Sequence, residues 1–396
     1  MEEVPIQKKI LLSGARSLFT LDLARRFAEE GHLVYAAETS FHHVCRFSNA
    51  FEKHFAIPSP RFDPEGFLQS LIAICEKEEI DLVIPTFEEI FCLAKGLGRF
   101  PKETTIFCAP YETLDTLHNK WHFNQKLKQL GFDCPKSALV SSQEELHALS
   151  FTTPYILKPS YSRASMCIQK VTTSTPPKIK IDPNNPLVAQ EWLHGKKYCS
   201  YSIVHHGKIA AHTVYPVEFS IEGNSCLNFK AIDHPKIHKW VETFAQKENF
   251  NGQIAFDFIE PSPEKLYAIE CNPRGTSGIH LFQQGDRLPK AFFNTQSTLI
   301  TPRVGYSKKI GWGMLLYGWQ AKRLWTFVKK FMTEEDVIFS KKDPLPFFHQ
   351  PLLFFVYLYR CFKLRLRLPE MFTFDIDWNG EEIATKETLR NVTNNP

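Results

Sequence analysis

The chain has 396 residues and a formal net charge of +4, and 43% of its residues are hydrophobic while 23% are charged. This length predicts two or three domains, and this balance excludes a disordered chain. Both signs of charge are spread along the sequence, so the composition does not indicate a nucleic-acid-binding surface. No uninterrupted apolar run reaches the eighteen or so residues that a membrane-spanning helix needs.

Ten cysteines occur singly, with no Cys-x-x-Cys pair and no Cys/His cluster at zinc-ligand spacing. Cys75, Cys92 and Cys108 lie inside apolar runs, so we expect them to be reduced packing residues of a cytoplasmic protein. The segment 1–9 carries both signs of charge and leads directly into a strand, which is not the pattern of a secretory signal.

Strands and helices alternate over the first 110 residues, which predicts a parallel sheet. Apolar runs predict strands at residues 10–12, 33–37 and 80–84, and amphipathic patterns predict helices at 20–30 and 67–77. The loop after the first strand has a single glycine, Gly14, whereas a dinucleotide-binding loop needs three spaced glycines. We therefore favour a structural or substrate-side lobe, whose loops form one wall of a cleft, over a nicotinamide site.

Three polar residues, Thr86, Glu88 and Glu89, follow the carboxyl end of the predicted strand at 80–84. Open α/β sheets bind ligands at this edge, so these side chains are candidates for a binding site. The alternative is that they form the solvated start of a helix. The sequence leaves both interpretations open.

The middle of the chain becomes strand-rich after a polar helical stretch at residues 111–131. The strand 155–159 contains Lys158, residues 187–193, 200–204 and 208–214 alternate as antiparallel strands do, and 235–249 has the pattern of an amphipathic helix. Residues 172–185 contain three prolines without a period, which predicts a surface excursion.

Acidic and amide side chains lie on two predicted strands that flank the turn 261–264. Glu270 and Asn272 are two residues apart and share one face of their strand, and a hairpin partner brings Asp257 beside them. Three hard oxygen ligands of this kind hold Mg²⁺ while leaving other positions for water and phosphate. Solvated strand faces are the alternative, but the flanking positions are apolar, and a carboxylate among apolar residues needs a partner.

An Asp on one strand followed by Glu270-Cys271-Asn272-Pro273-Arg274 on the next resembles the metal-binding end of the ATP-grasp superfamily. The resemblance covers roughly residues 111–285 and is closest to the carbamoyl-phosphate-synthase-like and carboxylate–amine ligase branch. It implies a mixed α/β and α+β fold. In this fold a Rossmann-like lobe (1–110) precedes an ATP-grasp domain (111–300, with its lid subdomain at about 151–193), and a helical, aromatic-rich extension follows (301–396).

The resemblance also implies roles for residues at matching positions. Asp257, Glu270 and Asn272 bind Mg²⁺, or alternatively Mn²⁺, while Arg274 and Lys230 act on the reacting phosphoryl group or carboxylate. The residues that correspond to ATP contacts are Lys120 and Lys158 for the phosphates, Ser160 and Ser165 in the loop after the second lysine, Gln190, Glu191, Trp192 and Leu193 in the hinge strand, and Tyr198.

Two positions depart from the pattern of the superfamily. The loop 160–165 lacks the glycines that many relatives have, so hydroxyl groups and Arg163 take their place over the phosphates. Many relatives hold the ribose with a carboxylate after the hinge, whereas this chain has Lys196, Lys197 and Tyr198. After Arg274, the stretch 275–278 is either an anion site at a helix start or a simple turn.

The implied activity is phosphorylation of a substrate carboxylate by ATP, followed by attack of an amine or another nucleophile on the acyl phosphate. Two alternatives remain: a sensor that binds ATP without turnover, and a phosphorylating enzyme of the carbamoyl-phosphate type. The expected partners are a small-molecule carboxylate and amine and not nucleic acid. The sequence is compatible with a homodimer and identifies neither substrate.

The C-terminal segment is rich in apolar and basic residues. Aromatic residues at 312–327 predict a helix, and the apolar run 352–359 is followed by four basic residues. Such a helix packs against its own domain, or it contacts a membrane surface or an apolar substrate. The alternating pattern at 372–378 predicts a strand.

Overall fold

A computed structural model describes residues 7–151, 154–162, 168–172, 177–218, 220–221, 225–317 and 324–383. None of the helices in these ranges combines the length and the apolar character that crossing a membrane requires.

The N-terminal lobe is a five-stranded parallel sheet with the order β3-β2-β1-β4-β5. The prediction of a parallel α/β lobe is confirmed, because each pair of neighbouring strands runs in the same direction. Gly14 ends β1 with a φ of +72°, and a Cβ atom there would lie 2.7 Å from Oγ1 of Thr86. The elements are β1 (Lys9–Ser13), α1 (Leu18–Glu29), β2 (Leu33–Glu38), β3 (Lys53–Ala56), α2 (Pro64–Glu78), β4 (Leu82–Ile84), α3 (Glu89–Lys95) and β5 (Thr105–Ile106).

Three helices and a four-stranded antiparallel sheet follow, with the strand order β6-β9-β7-β8. A small apolar cluster that includes Val140, Leu146 and Leu157 packs on this sheet. The elements are α4 (Tyr111–His118), α5 (Lys120–Gln129), β6 (Ser137–Val140), α6 (Gln143–His147), β7 (Tyr155–Pro159), β8 (Gln169–Val171) and β9 (Leu187–Glu191).

A second antiparallel sheet, β11-β10-β15-β16, forms the centre of the molecule. Phe256 and Phe258 on β15 and Phe244 on the amphipathic helix α7 are fully buried in one cluster that extends into the N-terminal lobe. The two lobes therefore share a core. The elements are β10 (Lys196–His205), β11 (Lys208–Pro216), β12 (Ser220–Ile221), β13 (Ser225–Cys226), β14 (Asn228–Lys230), α7 (Pro235–Glu248), β15 (Gly252–Ser262) and β16 (Lys265–Asn272).

The C-terminal segment is mainly helical and packs on the N-terminal lobe and on the small sheet β14-β17-β18. Helices α9 and α10 both lie in the stretch where the sequence predicted a helix, and residues 318–323 between them lie outside the described residues. The elements are α8 (Pro289–Phe293), β17 (Ser307–Lys309), α9 (Gly311–Tyr317), α10 (Leu324–Thr333), β18 (Glu335–Asp336), α11 (Leu345–Phe348), α12 (Gln350–Leu364) and α13 (Leu368–Met371).

The predicted strand at residues 372–378 is wrong. These residues form turns in which the amides of Ile376 and Asp377 donate to the carbonyl of Thr373. Asp375 accepts hydrogen bonds from the Arg16 guanidinium, with 2.6 Å between Nη1 and Oδ1. Side-chain partners of this kind compete with a strand ladder, so alternation of polar and apolar residues does not here indicate a strand.

Candidate active site

The predicted metal ligands lie together on the hairpin of β15 and β16. Asp257 is directly opposite Glu270 in the register, and Asn272 is opposite Ala255. The register shifts after Asp257, so that Ile269 is an extra residue in β16. Such a bulge bends the strand and frees a carbonyl group from the ladder. The hairpin therefore presents two carboxylates, one amide and one backbone carbonyl.

Lys120 lies at the start of α5, where the side chain of Asn119 caps the helix by accepting from the amides of Trp121 and His122, each at 3.0 Å. Its ammonium group lies 3.7 Å from Oε1 of Glu270 and also donates to the carbonyl of Ser162. The helix cap thus directs a buried cation at the acidic hairpin.

Lys158 approaches the same hairpin from β7. Its ammonium group donates to Oε1 of Gln190 at 3.0 Å and to the carbonyl of Ile269 at 3.1 Å. Because β7 and β9 are antiparallel neighbours, the hinge strand that carries Gln190 holds this lysine in place. The bulge in β16 provides the second acceptor.

Arg274 follows β16 and connects the hairpin to the N-terminal lobe. Its Nη2 lies 3.3 Å from Oδ1 of Asn272 and 3.5 Å from Oε1 of Glu88, and its guanidinium lies over the ring of Phe87. Its buried Nε has no hydrogen-bond partner among the described residues. The planar group is thus fixed by both lobes while one donor is left for an anion.

The two acids after β4 have different surroundings, and both are buried. Glu88 contacts Arg274 and also accepts from the amide of Trp378 at 3.0 Å. Glu89 accepts from the hydroxyl of Ser13 and the amide of Thr86 at 2.6 Å and 2.9 Å, and burial raises its pKa. The edge of the sheet is therefore not a solvated helix start, and Glu88 is the acid that reaches the cluster.

Burial governs the ionisation of the central groups. Burial and the neighbouring Glu270 raise the pKa of Asp257 to about 6, while Cys199, Lys120 and Arg274 act in the opposite direction. Burial and the neighbouring Lys120 lower the pKa of Lys158 to about 8, against the attraction of Glu270 and Asp257. Each group is held in an environment that disfavours its charge.

This donor set suits Mg²⁺. Two facing carboxylates and an amide oxygen are hard ligands, and a divalent cation would relieve the repulsion that raises the pKa of Asp257. Among the described residues no group of three or more His, Cys, Asp and Glu side chains is arranged to hold a metal ion. The set includes one amide and only two acids, and so leaves positions for phosphate oxygens and water.

The remaining hinge residues lie beside the lid sheet. Oε1 of Glu191 accepts from the amide of Lys136 at 2.8 Å, and the Trp192 indole donates to His194 and lies against the Lys170 ammonium. Leu193 follows, half-buried. At Gly195 a Cβ atom would overlap the carbonyl of Glu260, so this close approach requires glycine.

Ser160 is fully buried in the loop that follows β7. Its hydroxyl donates to the carbonyl of Pro186 at 2.8 Å, and its own carbonyl accepts from the amide of Lys120 at 2.9 Å. This residue therefore ties the two lysine-bearing elements together. Ser165 and Arg163 lie outside the described residues.

Two candidates are not brought to the cluster. Tyr198 is opposite Phe258 in the register, so its ring lies on the other face of the sheet from Asp257 and packs against His234. Lys230 is exposed at the end of β14, in a different sheet. Residues 275–276 are irregular and lead into a five-residue 3₁₀ helix (Ser277–Leu281), and the buried Thr276 hydroxyl has no partner among the described residues.

The sequence did not indicate three neighbours of the cluster. Cys199 lies opposite Asp257 in the register of β10 and β15, and its side chain acts to lower the pKa of that carboxyl group. His118 is buried beside Lys120, and burial lowers its pKa to about 4. Trp378 packs on Phe91 with 4.4 Å between the ring centroids. Alternation along β10 could have found Cys199, but no local signal connects Trp378 to the site.

Comparison with protein families identifies the middle of the chain, because residues 117–278 match the family described as the ATP-grasp domain. The chain carries an ATP-grasp domain. The match begins next to Lys120 and includes Lys158, Asp257 and the whole Glu270–Arg274 segment. The predicted superfamily and fold class are thereby confirmed.

Similar proteins share this fold and differ in function. The C-terminal section of the carbamoyl phosphate synthase large chain of Methanopyrus kandleri is 21% identical over 253 residues, which cover 59% of this chain and 46% of that protein. The chain spans less than two thirds of the length of the curated relatives it matches. Many solved structures are similar, and several of them are ligases or synthetases by name.

The L-amino acid ligase of Bacillus licheniformis superposes with a TM-score of 0.57 at 13% identity, covering 75% of this chain and 78% of that one. The N5-carboxyaminoimidazole synthetase of Staphylococcus aureus gives 0.59 at 14% identity, covering 79% and 85%. At such identities the likeness shows the fold and not the substrate. The coverage extends well beyond the 162 residues of the family match.

Proposed function

We propose that this chain is an ATP-dependent ligase that activates a small carboxylate as an acyl phosphate and couples it to an amine. The observation that carries the proposal is the contact between Lys120 and Glu270 at 3.7 Å, with Asp257 opposite Glu270 and Lys158 on the carbonyl of the adjacent Ile269. Two buried cations facing two acids are costly unless an anionic ligand and a cation share the space between them.

In the proposed reaction Asp257, Glu270 and Asn272 hold Mg²⁺, which supplies charge neutralisation at the terminal phosphates of ATP. Lys120 and Lys158 bind those phosphates from the other side. The acid substrate lies near Arg274, whose free Nε and fork geometry suit a carboxylate. A carboxylate oxygen displaces ADP from the γ-phosphorus, and the amine then displaces inorganic phosphate from the acyl carbon.

Glu88 and Phe87 position Arg274 from the N-terminal lobe. The lobe thus contributes to the acid side of the site, which supports the interpretation of residues 1–110 as a substrate-side lobe. In the proposed binding mode the adenine ring lies against the end of β9, where Trp192 and Leu193 follow Gln190 and Glu191. Ser160 ties the end of β7, which carries Lys158, to the amide of Lys120.

The test is a coupled assay for ADP with amino acids and small carboxylates, followed by trapping with hydroxylamine. The proposal expects ADP formation that depends on both an acid and an amine, and a hydroxamate of the acid when hydroxylamine replaces the amine. Glu270→Gln is expected to reduce turnover by a factor of about 10² or more, because it removes a charged ligand of the proposed Mg²⁺. Glu264→Gln, in the exposed turn of the same hairpin, is the matched control.

Two other functions predict different results. The curated relative from Methanopyrus kandleri suggests an enzyme of the carbamoyl-phosphate type. Such an enzyme would form ADP with bicarbonate as the only acid. A sensor would bind ATP and release no ADP with any pair of substrates. If wild type binds ATP tightly but forms no ADP with any pair of acid and amine, the ligase proposal is rejected.

A further inference from the structure

The helices α11 and α12 have two apolar faces, and only one of them is covered. Residues 345–364 are nearly continuous, since His349 between the two helices also has helical backbone angles. Leu353 and Tyr357 point inward and are buried in the cluster that joins α12 to the N-terminal lobe. A helix of this kind needs an apolar surface on one side only.

The opposite face carries large apolar side chains at intervals of four and three residues, which align them in one stripe. We call this stripe the exposed face of α12. It consists of Phe348 (68% exposed), Leu352 (51%), Phe355 (66%), Tyr359 (66%) and Phe362 (85%). A monomeric protein rarely exposes five adjacent apolar side chains of this size to water, so the stripe indicates a contact with another apolar surface.

Basic residues border the exposed face, and acidic residues are absent from its sequence. The segment 345–368 contains no Asp or Glu, and its C-terminal end carries Arg360, Lys363, Arg365 and Arg367. Lys363 and Arg365 are exposed, whereas Arg360 donates to the hydroxyl of Ser40 at 2.8 Å. An apolar face bordered by cations is complementary to a surface that is apolar inside and anionic outside.

A groove runs beside this face. It has a volume of 620 Å³ and is lined by apolar side chains, including Phe355 and Tyr359, together with Arg360 and Lys363. The groove therefore offers two cations next to an apolar wall, which is the chemistry that an anionic lipid headgroup requires.

Two other occupants of the face are less suited to it. A second copy of the chain would bring the same cations with no acid in the segment to meet them, so pairing of two identical faces leaves the positive charges uncompensated. The chain beyond residue 383 is mostly polar, with Ala384, Leu389 and Val392 as its apolar residues, and three such side chains are too few to cover five large ones.

We propose that the exposed face of α12 docks on the surface of an anionic lipid membrane, with its aromatic residues at the level of the headgroups and Lys363 and Arg365 on acidic lipids. The helix lies in the interface and does not cross it, consistent with its length of 15 residues. This proposal does not depend on the ligase activity proposed above.

The experiment is sedimentation of the full chain with vesicles of phosphatidylcholine alone or with about 30% phosphatidylserine, at about 0.15 M salt. Wild type is expected to bind the anionic vesicles at least about tenfold more strongly than the neutral ones. The double variants Phe355→Ser/Phe362→Ser and Lys363→Glu/Arg365→Glu are each expected to lose about tenfold or more of this binding. Both pairs are exposed, so the variants should keep the melting temperature of wild type.

The controls Val304→Ser and Lys102→Glu change an exposed apolar residue and an exposed lysine elsewhere, and they should bind as wild type does. The proposal is overturned if wild type stays in the supernatant with anionic vesicles, or if both double variants still sediment normally. Light scattering measures whether the chain is a monomer or a dimer. If wild type is a dimer that does not bind vesicles, and Phe355→Ser/Phe362→Ser is a monomer, the exposed face of α12 binds a second copy and the proposal is overturned.

Discussion

Replacement of Lys158 by methionine should stabilise the fold while removing the activity. Lys158 is 3% exposed, and burial together with Lys120 lowers its pKa from the usual 10.5 to about 8. A pKa lowered in this way means that the folded chain disfavours the charge that the unfolded chain carries without cost. A lysine retained under these conditions indicates a function other than stability.

The magnitude follows from that pKa. At 1.36 kcal/mol per pKa unit, keeping Lys158 charged in the fold costs about 3 kcal/mol below pH 8. Methionine removes this cost but leaves the carbonyl of Ile269 and Oε1 of Gln190 without their donor, at about 1 kcal/mol each. The expected net effect of Lys158→Met at pH 7 is therefore a gain of about 1 kcal/mol in the free energy of unfolding.

Chemical denaturation of both proteins at pH 7 and pH 10 measures this gain and its pH dependence. Between pH 8 and 10.5 the folded chain loses the lysine proton before the unfolded chain does, so wild type gains stability as the pH rises through that window. Lys158→Met lacks this gain. Steady-state ATP turnover of the variant should fall by a factor of about 10² or more, because a cation on the phosphates is lost in a water-poor site.

Lys128→Met, on the exposed side of α5, is the control for loss of a lysine and should change neither quantity. A variant that loses several kcal/mol of stability and keeps full turnover would show that Lys158 is a structural residue. In that case the interpretation of the two lysines as phosphate ligands fails.

Two further predictions concern the N-terminal lobe and the buried histidines. Glu88→Gln removes the charge that faces Arg274 in a buried pair, and denaturation should show a loss of about 3 kcal/mol in the free energy of unfolding. An unchanged midpoint would mean that Asn272 alone holds the arginine. Burial lowers the pKa of His118 to about 4 and of His212 to about 3, so the unfolded chain binds protons first as the pH falls below 6.5. Each residue should cost the fold about 2 kcal/mol at pH 5, and a thermal midpoint that is constant from pH 7 to 5 would contradict this.

Much of the candidate site was predictable because it depends on short-range order. Residues two apart on a strand lie on the same face, so Glu270 and Asn272 had to point the same way. A short turn between the two strands had to place Asp257 opposite Glu270. The parallel lobe was predictable for a similar reason, since alternating apolar runs and amphipathic helices permit few arrangements. These inferences use periods of two and 3.6 residues, which every sequence displays directly.

Long-range contacts were not predictable. Glu88 and Trp378 are 290 residues apart, and their hydrogen bond depends on how the C-terminal turns pack against the N-terminal lobe. The bulge at Ile269, which provides the acceptor for Lys158, has no signature in a strand of ordinary composition. Residues 372–378 alternate between apolar and polar residues as a strand does, but the buried hydrogen-bond partners of their acidic side chains favour turns.

By itself, the sequence determined which residue types could meet a nucleotide and a metal ion, because strand and helix periods fix the direction of each side chain. The tertiary structure alone decided which of these groups touch, and how far each pKa moves, because burial and the distance between charges arise only when separate segments pack together. The exposed face of α12 shows the same division. Its apolar and basic residues are visible in the sequence, but only packing decides which side of the helix remains uncovered.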